Sequence, residues 1–180
     1  MEQTRQLVGE MLVCCFGVVL LTGGFLAFFF TPSSQMVLYD GAYEQLRGVP
    51  MSAAYNSLLE ISFEVRGGLL MRQLHQSSTY LLVLGTVVWA LLGRFRYAVA
   101  VLCQGVLGGL SGYGAADDLL SGTALGRLPV PWWYGLHLLM AVAVGAVLVI
   151  SSQREAARQP RTFRLVALSL GLTTLAIFWL

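Results

Sequence analysis

Two histidines are the only imidazoles in 180 residues, and both fall inside long apolar runs. His75 lies about two turns into a block that begins at Gly67, and His137 lies between one and two turns into a block that begins at Trp132. An ionisable side chain within a bilayer is costly, so the few found there point to function. If both blocks start on the same side of the membrane, the two rings lie at similar depth and can ligate one metal from opposite sides. An iron porphyrin with two axial histidines fits that arrangement. A zinc site does not, because no further Cys, His or carboxylate lies at that depth. The competing explanation is that each imidazole hydrogen-bonds a neighbouring helix. Arg72 precedes His75 by three residues, which puts it on the same helix face one turn nearer the surface. There its guanidinium can meet a propionate turned toward water, or snorkel to the interface. Gly23 and Gly112 lie toward the same side, where a missing side chain would let a flat macrocycle approach the backbone, although small residues also serve ordinary helix packing.

The elements that must position these residues follow from composition. Hydrophobic residues make up 57% of the chain and charged residues 11%, with a mean hydropathy of +0.72. That is too little polar side chain to cover a water-facing surface, since soluble chains are about 25% charged. The apolar residues gather into about five blocks of near-spanning length. These are 11–30, 67–92, 97–113, 132–150 and 163–180, and the fold class is therefore all-α, a polytopic transmembrane helix bundle. The first block ends in Phe28, Phe29, Phe30, Thr31 and Pro32 with no small-residue cleavage site, so it reads as a retained helix. Between 33 and 66 the chain turns polar, and the helical spacing from Ser52 to Ile61 predicts a short helix along the membrane surface. Cys14, Cys15 and Cys103 all lie in apolar blocks and read as small core-filling residues. Every basic residue is Arg, and no basic cluster is interleaved with aromatics, which speaks against a nucleic-acid partner.

Orientation follows from the arginines. With the amino terminus inside, seven (Arg5, Arg94, Arg96, Arg154, Arg158, Arg161, Arg164) lie on the inner side and three (Arg47, Arg66, Arg127) outside. A cytoplasmic amino terminus in the cell membrane is the consequence. The run from Arg154 to Arg164 then reads as a topology signal and not as a ligand site.

Several stretches, loops included, make the sequence similar to the amino-terminal, four-helix, haem-bearing half of cytochrome b from bc-type complexes, most closely the actinobacterial menaquinol-oxidising form. They are LLTGGFLAFFFTPS at 20–33, YDGAYEQLRGVPMSAAYNSLLEISFEVRGGLLMRQLH at 39–75, GLSGYGAADDLLSGTAL at 109–125 and WWYGLHLL at 132–139. The resemblance covers residues 1–152, leaving 153–180 as a basic inner loop plus a fifth helix. It implies two stacked haems b held between the second and fourth helices, with the two histidines on each helix fourteen residues apart. His75 and His137 match the ligands of the outer haem, Arg72 the propionate-facing Arg, and Gly23 and Gly112 the glycines flanking that haem.

The departures from the family pattern are as informative. Fourteen residues after His75 stands Trp89, and fourteen after His137 stands Ser151. Neither is an axial ligand, since an indole nitrogen has no lone pair to donate. Gly9 is retained fourteen before Gly23, whereas Ala98 stands fourteen before Gly112. The inner haem is therefore expected to be absent, with Trp89 filling part of its volume. Family members also carry a Leu-Pro pair after the Gly-Tyr, where this chain has Gly114, Ala115 and Ala116 before Asp117 and Asp118.

The leading expectation is a single-haem b electron-transfer subunit of a larger respiratory membrane complex, not a stand-alone enzyme, with a quinone or menaquinol nearby. The alternative is a degenerate cytochrome b-like scaffold or anchor subunit with a structural haem or none. A proton-relaying transporter would need acidic partners within the helices, and only Glu10, at a helix end, is available.

Overall fold

The computed structural model describes residues 2–116 and 127–179, apart from the Arg94 side chain. Six α-helices occur among them: α1 (Glu2–Phe29), α2 (Ala53–Phe63), α3 (Gly68–Trp89), α4 (Phe95–Ala116), α5 (Val130–Ala156) and α6 (Phe163–Trp179). Four, including α3 with its extension to Gly93, are long and apolar enough to cross a membrane, and α6 at 17 residues is the short one. Helices of about 17 residues mark the lower limit for spanning. Their outward faces carry exposed Leu21, Phe28, Leu91, Val142 and Leu175, as a lipid-facing surface requires. This is a multi-pass membrane protein.

The four long helices close a ring in which α1 packs on α3, α3 on α4, α4 on α5, and α5 back on α1. Thus α3 and α5 face each other diagonally across the interior. A turn at Ala90–Arg94 joins α3 to α4, and Gly93 at φ 95° supplies the left-handed residue that reverses the chain. Beyond the histidine level, toward the amino-terminal end, the interior is filled by Leu12, Phe16, Leu82, Trp89, Val101 and Leu148. Gly85 and Gly145 make this filling possible, because a Cβ on either would come within 3.0 Å of Leu12 or Phe16. Helix α6 lies outside the ring against α1 and α3. It meets them through Ser169, Thr173 and Ile177, a buried stripe at i, i+4, i+8.

At the opposite end, residues 31–67 form a small cap. Two three-residue strands, β1 (Met36–Leu38) and β2 (Pro50–Ser52), pair antiparallel with Val37 opposite Met51. Tyr39, Met51 and Leu59 make its core. The surface helix expected from Ser52 to Ile61 is α2, whose first turn is capped by Ser52 Oγ accepting from the Tyr55 N–H at 3.1 Å. The cap is tied to the start of α5 by Val130 N–H donating to Ser34 Oγ at 2.8 Å. The cysteines divide. Cys15 is in the core, Cys14 meets Ser169 of α6 at 3.9 Å, and Cys103 is exposed, which corrects the core-filling expectation for that residue.

Candidate functional site

His75 and His137 stand the same distance into α3 and α5, seven residues from each helix start, or about 10 Å at the helical rise. Both helices start at the capped end, so the rings meet across the diagonal of the ring of helices. Their centroids are 6.1 Å apart and their planes inclined by 60°. Two metal–imidazole bonds of ~2 Å, plus about 1.1 Å from nitrogen to ring centre on each side, require roughly 6 Å between centroids. The pair is therefore spaced for one metal between two imidazoles.

The ring nitrogens have distinct tasks. His137 Nδ1 lies 2.7 Å from Gly108 O, and His75 Nδ1 lies 3.2 Å from Val19 O and 3.0 Å from Thr22 Oγ1. A carbonyl oxygen only accepts, so in both rings Nδ1 carries the proton and Nε2 keeps its lone pair, the form a metal ligand must have. Among the described residues no group of three or more His, Cys, Asp or Glu converges. Two axial nitrogens then suit a metal whose remaining ligands come with a macrocycle.

Gly23 of α1 and Gly112 of α4 lie directly against the pair. A Cβ on Gly23 would be 3.0 Å from His75 Cε1, and one on Gly112 would be 3.0 Å from His137 Nδ1. Each glycine leaves room for the imidazole beside it. Arg72, one turn toward the cap, donates to Ser62 Oγ of α2, and Ser62 in turn donates to Leu58 O at 2.6 Å. The guanidinium is thereby steered to the capped end, above the histidines.

The two positions fourteen residues further on are built differently. Trp89 is 4% exposed and lies over Gly9, where a Cβ would be 3.4 Å from the indole Nε1. Ser151 is buried, and its Oγ has no hydrogen-bond partner among the described residues. Trp89, Gly9, Leu148 and Ser151 line a cavity of about 10 Å³, room for at most one water. Two ion pairs close this end: Arg5 with Glu155 at 2.9 Å and Arg161 with Glu10 at 2.8 Å. Gln6 adds a bond to Gln159 O at 2.8 Å.

No family model matches the chain. Individual relatives do. The cytochrome b subunit of the cytochrome bc1 complex from Corynebacterium efficiens is 39% identical over 155 residues, 79% of this chain and 27% of the relative. Those from Streptomyces coelicolor and Mycobacterium tuberculosis are 40% and 41% identical over 131 residues, 66% of this chain and 24% of each relative. The chain resembles the amino-terminal part of a cytochrome b. It spans about a quarter of the length of these relatives.

Within this cytochrome b-like bundle, sequence reasoning missed the groups that hold the imidazoles: Thr22 and the Val19 and Gly108 carbonyls. The carbonyls carry no side-chain signal. Thr22, next to Gly23, offered one. The Asp117 and Asp118 part of the loop after α4 lies outside the described residues.

Proposed function

We propose that the chain is a membrane electron-transfer subunit that holds one haem b between His75 and His137 near one face of the membrane. The observation that carries this is the imidazole pair, 6.1 Å between centroids with both Nδ1 protons committed to carbonyl acceptors. When bound between His75 and His137, haem b would supply a one-electron couple and would carry electrons without binding oxygen. The chain's own residues do the rest. His75 and His137 hold the iron, Gly23 and Gly112 seat the rings, and Arg72 stands toward the aqueous end for a propionate. At the other end, ~21 Å away along the helix, Trp89 and Ser151 stand at the positions fourteen residues on, and neither side chain is an axial ligand. One face alone then handles electrons.

The excess of Arg at the amino-terminal end supports a cytoplasmic amino terminus in the cell membrane, with the haem near the outer face. The likeness to subunits of the bc1 complex supports partners within a membrane respiratory complex, and the reading includes a menaquinol nearby. We assign 1–152 to the haem-binding bundle and 153–180, which begins with the last turn of α5, to the basic loop and α6.

The test is haem b per chain, from the reduced-minus-oxidised spectrum of the purified protein, beside His75→Ala and His137→Ala. One haem in the parent and none in either variant is the expected outcome. A parent without haem, or variants that keep it, would leave the scaffold reading in its place. Two haems per chain would refute the assignment of Trp89 and Ser151.

A further inference from the structure

We propose that Thr22 is a positioning residue that fixes the orientation and electron-donating strength of His75, and through it the reduction potential of the centre. This rests on the reading of His75 as a haem ligand. Four distances determine where each proton sits. Thr22 Oγ1 is 3.0 Å from His75 Nδ1, 2.7 Å from Val18 O and 3.2 Å from Val19 O, and Nδ1 is itself 3.2 Å from Val19 O. Val19 O cannot donate, so the proton between it and the ring belongs to Nδ1. The hydroxyl has one proton, and its nearest carbonyl, Val18 O, takes it. Oγ1 therefore presents a lone pair to the ring, and the chain of donors runs from Nδ1–H to Oγ1–H to the Val18 carbonyl. Each bond polarises the next.

Thr22 is 4% exposed, so water does not compete for the hydroxyl. Among the described residues the opposite ligand has no side-chain partner of this kind: His137 Nδ1 is held by the Gly108 carbonyl, at 2.7 Å. Backbone support is the same for every residue type at position 108, whereas the support of His75 depends on a side chain. Thr22 is thus the place where sequence sets the strength of one axial ligand. Accepting from Nδ1–H makes the imidazole a stronger donor and favours the oxidised metal. Removing the hydroxyl raises the potential.

The experiment uses the full chain with Thr22→Val, which keeps the shape and deletes the hydroxyl, and Thr22→Ser, which keeps the hydroxyl. Haem per chain, midpoint potential by redox titration and the low-spin ferric EPR signal are read for each. Thr22→Val is expected to show a raised potential and a moved EPR signal, or to lose haem, while Thr22→Ser stays with the parent. A Thr22→Val variant that keeps its haem with the parental potential and EPR signal would overturn the inference. So would a Thr22→Ser variant that changes as far as Thr22→Val, since volume and not the hydroxyl would then be at work. A parent without haem overturns the proposed function and this inference with it, an outcome distinct from either of those.

Discussion

Gly23→Ala places one methyl group where the site has no space for it. Its Cβ would lie 3.0 Å from His75 Cε1 and 3.5 Å from Nδ1, whereas carbon atoms settle about 3.5–4.0 Å apart. The ring must retreat by about 0.5 to 1 Å. Its Nδ1 is tethered at 3.0 Å to Thr22 Oγ1 and at 3.2 Å to Val19 O, and the longer bond is lost first. A net hydrogen bond contributes about 0.5–1.5 kcal/mol. In the haem-free chain the imidazole can swing away from the methyl group, but a ligand pinned to iron cannot, so the cost falls on binding. At ~1.4 kcal/mol per tenfold, haem affinity should drop roughly two- to tenfold. The assay is haem titration of the haem-free chain in nanodiscs, followed at the Soret band. Gly24→Ala is the control, because nothing lies within 4 Å of its Cβ. Parental affinity in Gly23→Ala, or equal weakening in Gly24→Ala, would refute the steric account.

Two further perturbations test the ends of the bundle. The Arg5–Glu155 pair is largely buried, with side chains 20% and 9% exposed, and removing one partner of a buried pair costs about 3–5 kcal/mol. Glu155→Gln should lower stability in reversible detergent unfolding, and a double-mutant cycle with Arg5→Met should show coupling of at least ~1 kcal/mol; additive effects would show that the two side chains act independently. Gly68→Ala would set a Cβ 1.8 Å from the Ile61 carbonyl oxygen, a backbone atom that no rotamer change can clear. Hydrogen exchange in α2 should then rise at least about tenfold, and protection equal to that of Gly17→Ala, whose Cβ meets nothing within 4 Å, would count against the close α2–α3 junction.

The bundle was legible because membrane helices are written as blocks of hydropathy, and the histidine pair because imidazoles are conspicuous inside them. The block edges were less so. Helix α1 starts at Glu2 and not near Met11, since Gln6 and Glu10, four residues apart, are buried on the same face against partners from residues 152–161. No local pattern encodes a partner about 150 residues away. The hairpin of β1 and β2 was illegible for a related reason: its strands are three residues long, and it depends on Gly48 at φ 78° and on the Tyr39 ring packed beneath. Thr22 escaped notice because a hydroxyl in an apolar helix ordinarily bonds the carbonyl four residues back. It does so here, to Val18, and its second bond to His75 depends on how α1 and α3 are placed.

The two ends of the bundle solve one problem by different chemistry. Whatever occupies the axis between the four helices must also help to hold them together. At the capped end the axis carries two imidazoles, each backed by a glycine on the neighbouring helix. At the amino-terminal end Trp89 fills the axis over Gly9, and Arg5–Glu155 and Glu10–Arg161 join α1 to α5 and to the segment leading into α6. The ionic clasp sits where the helices reach water, and there charged side chains pay the smallest desolvation penalty. An indole with a clasp supplies cohesion from the protein's own side chains. With haem bound at the imidazole pair as proposed, withholding it should loosen the capped end more than this one, which the protein's own side chains hold.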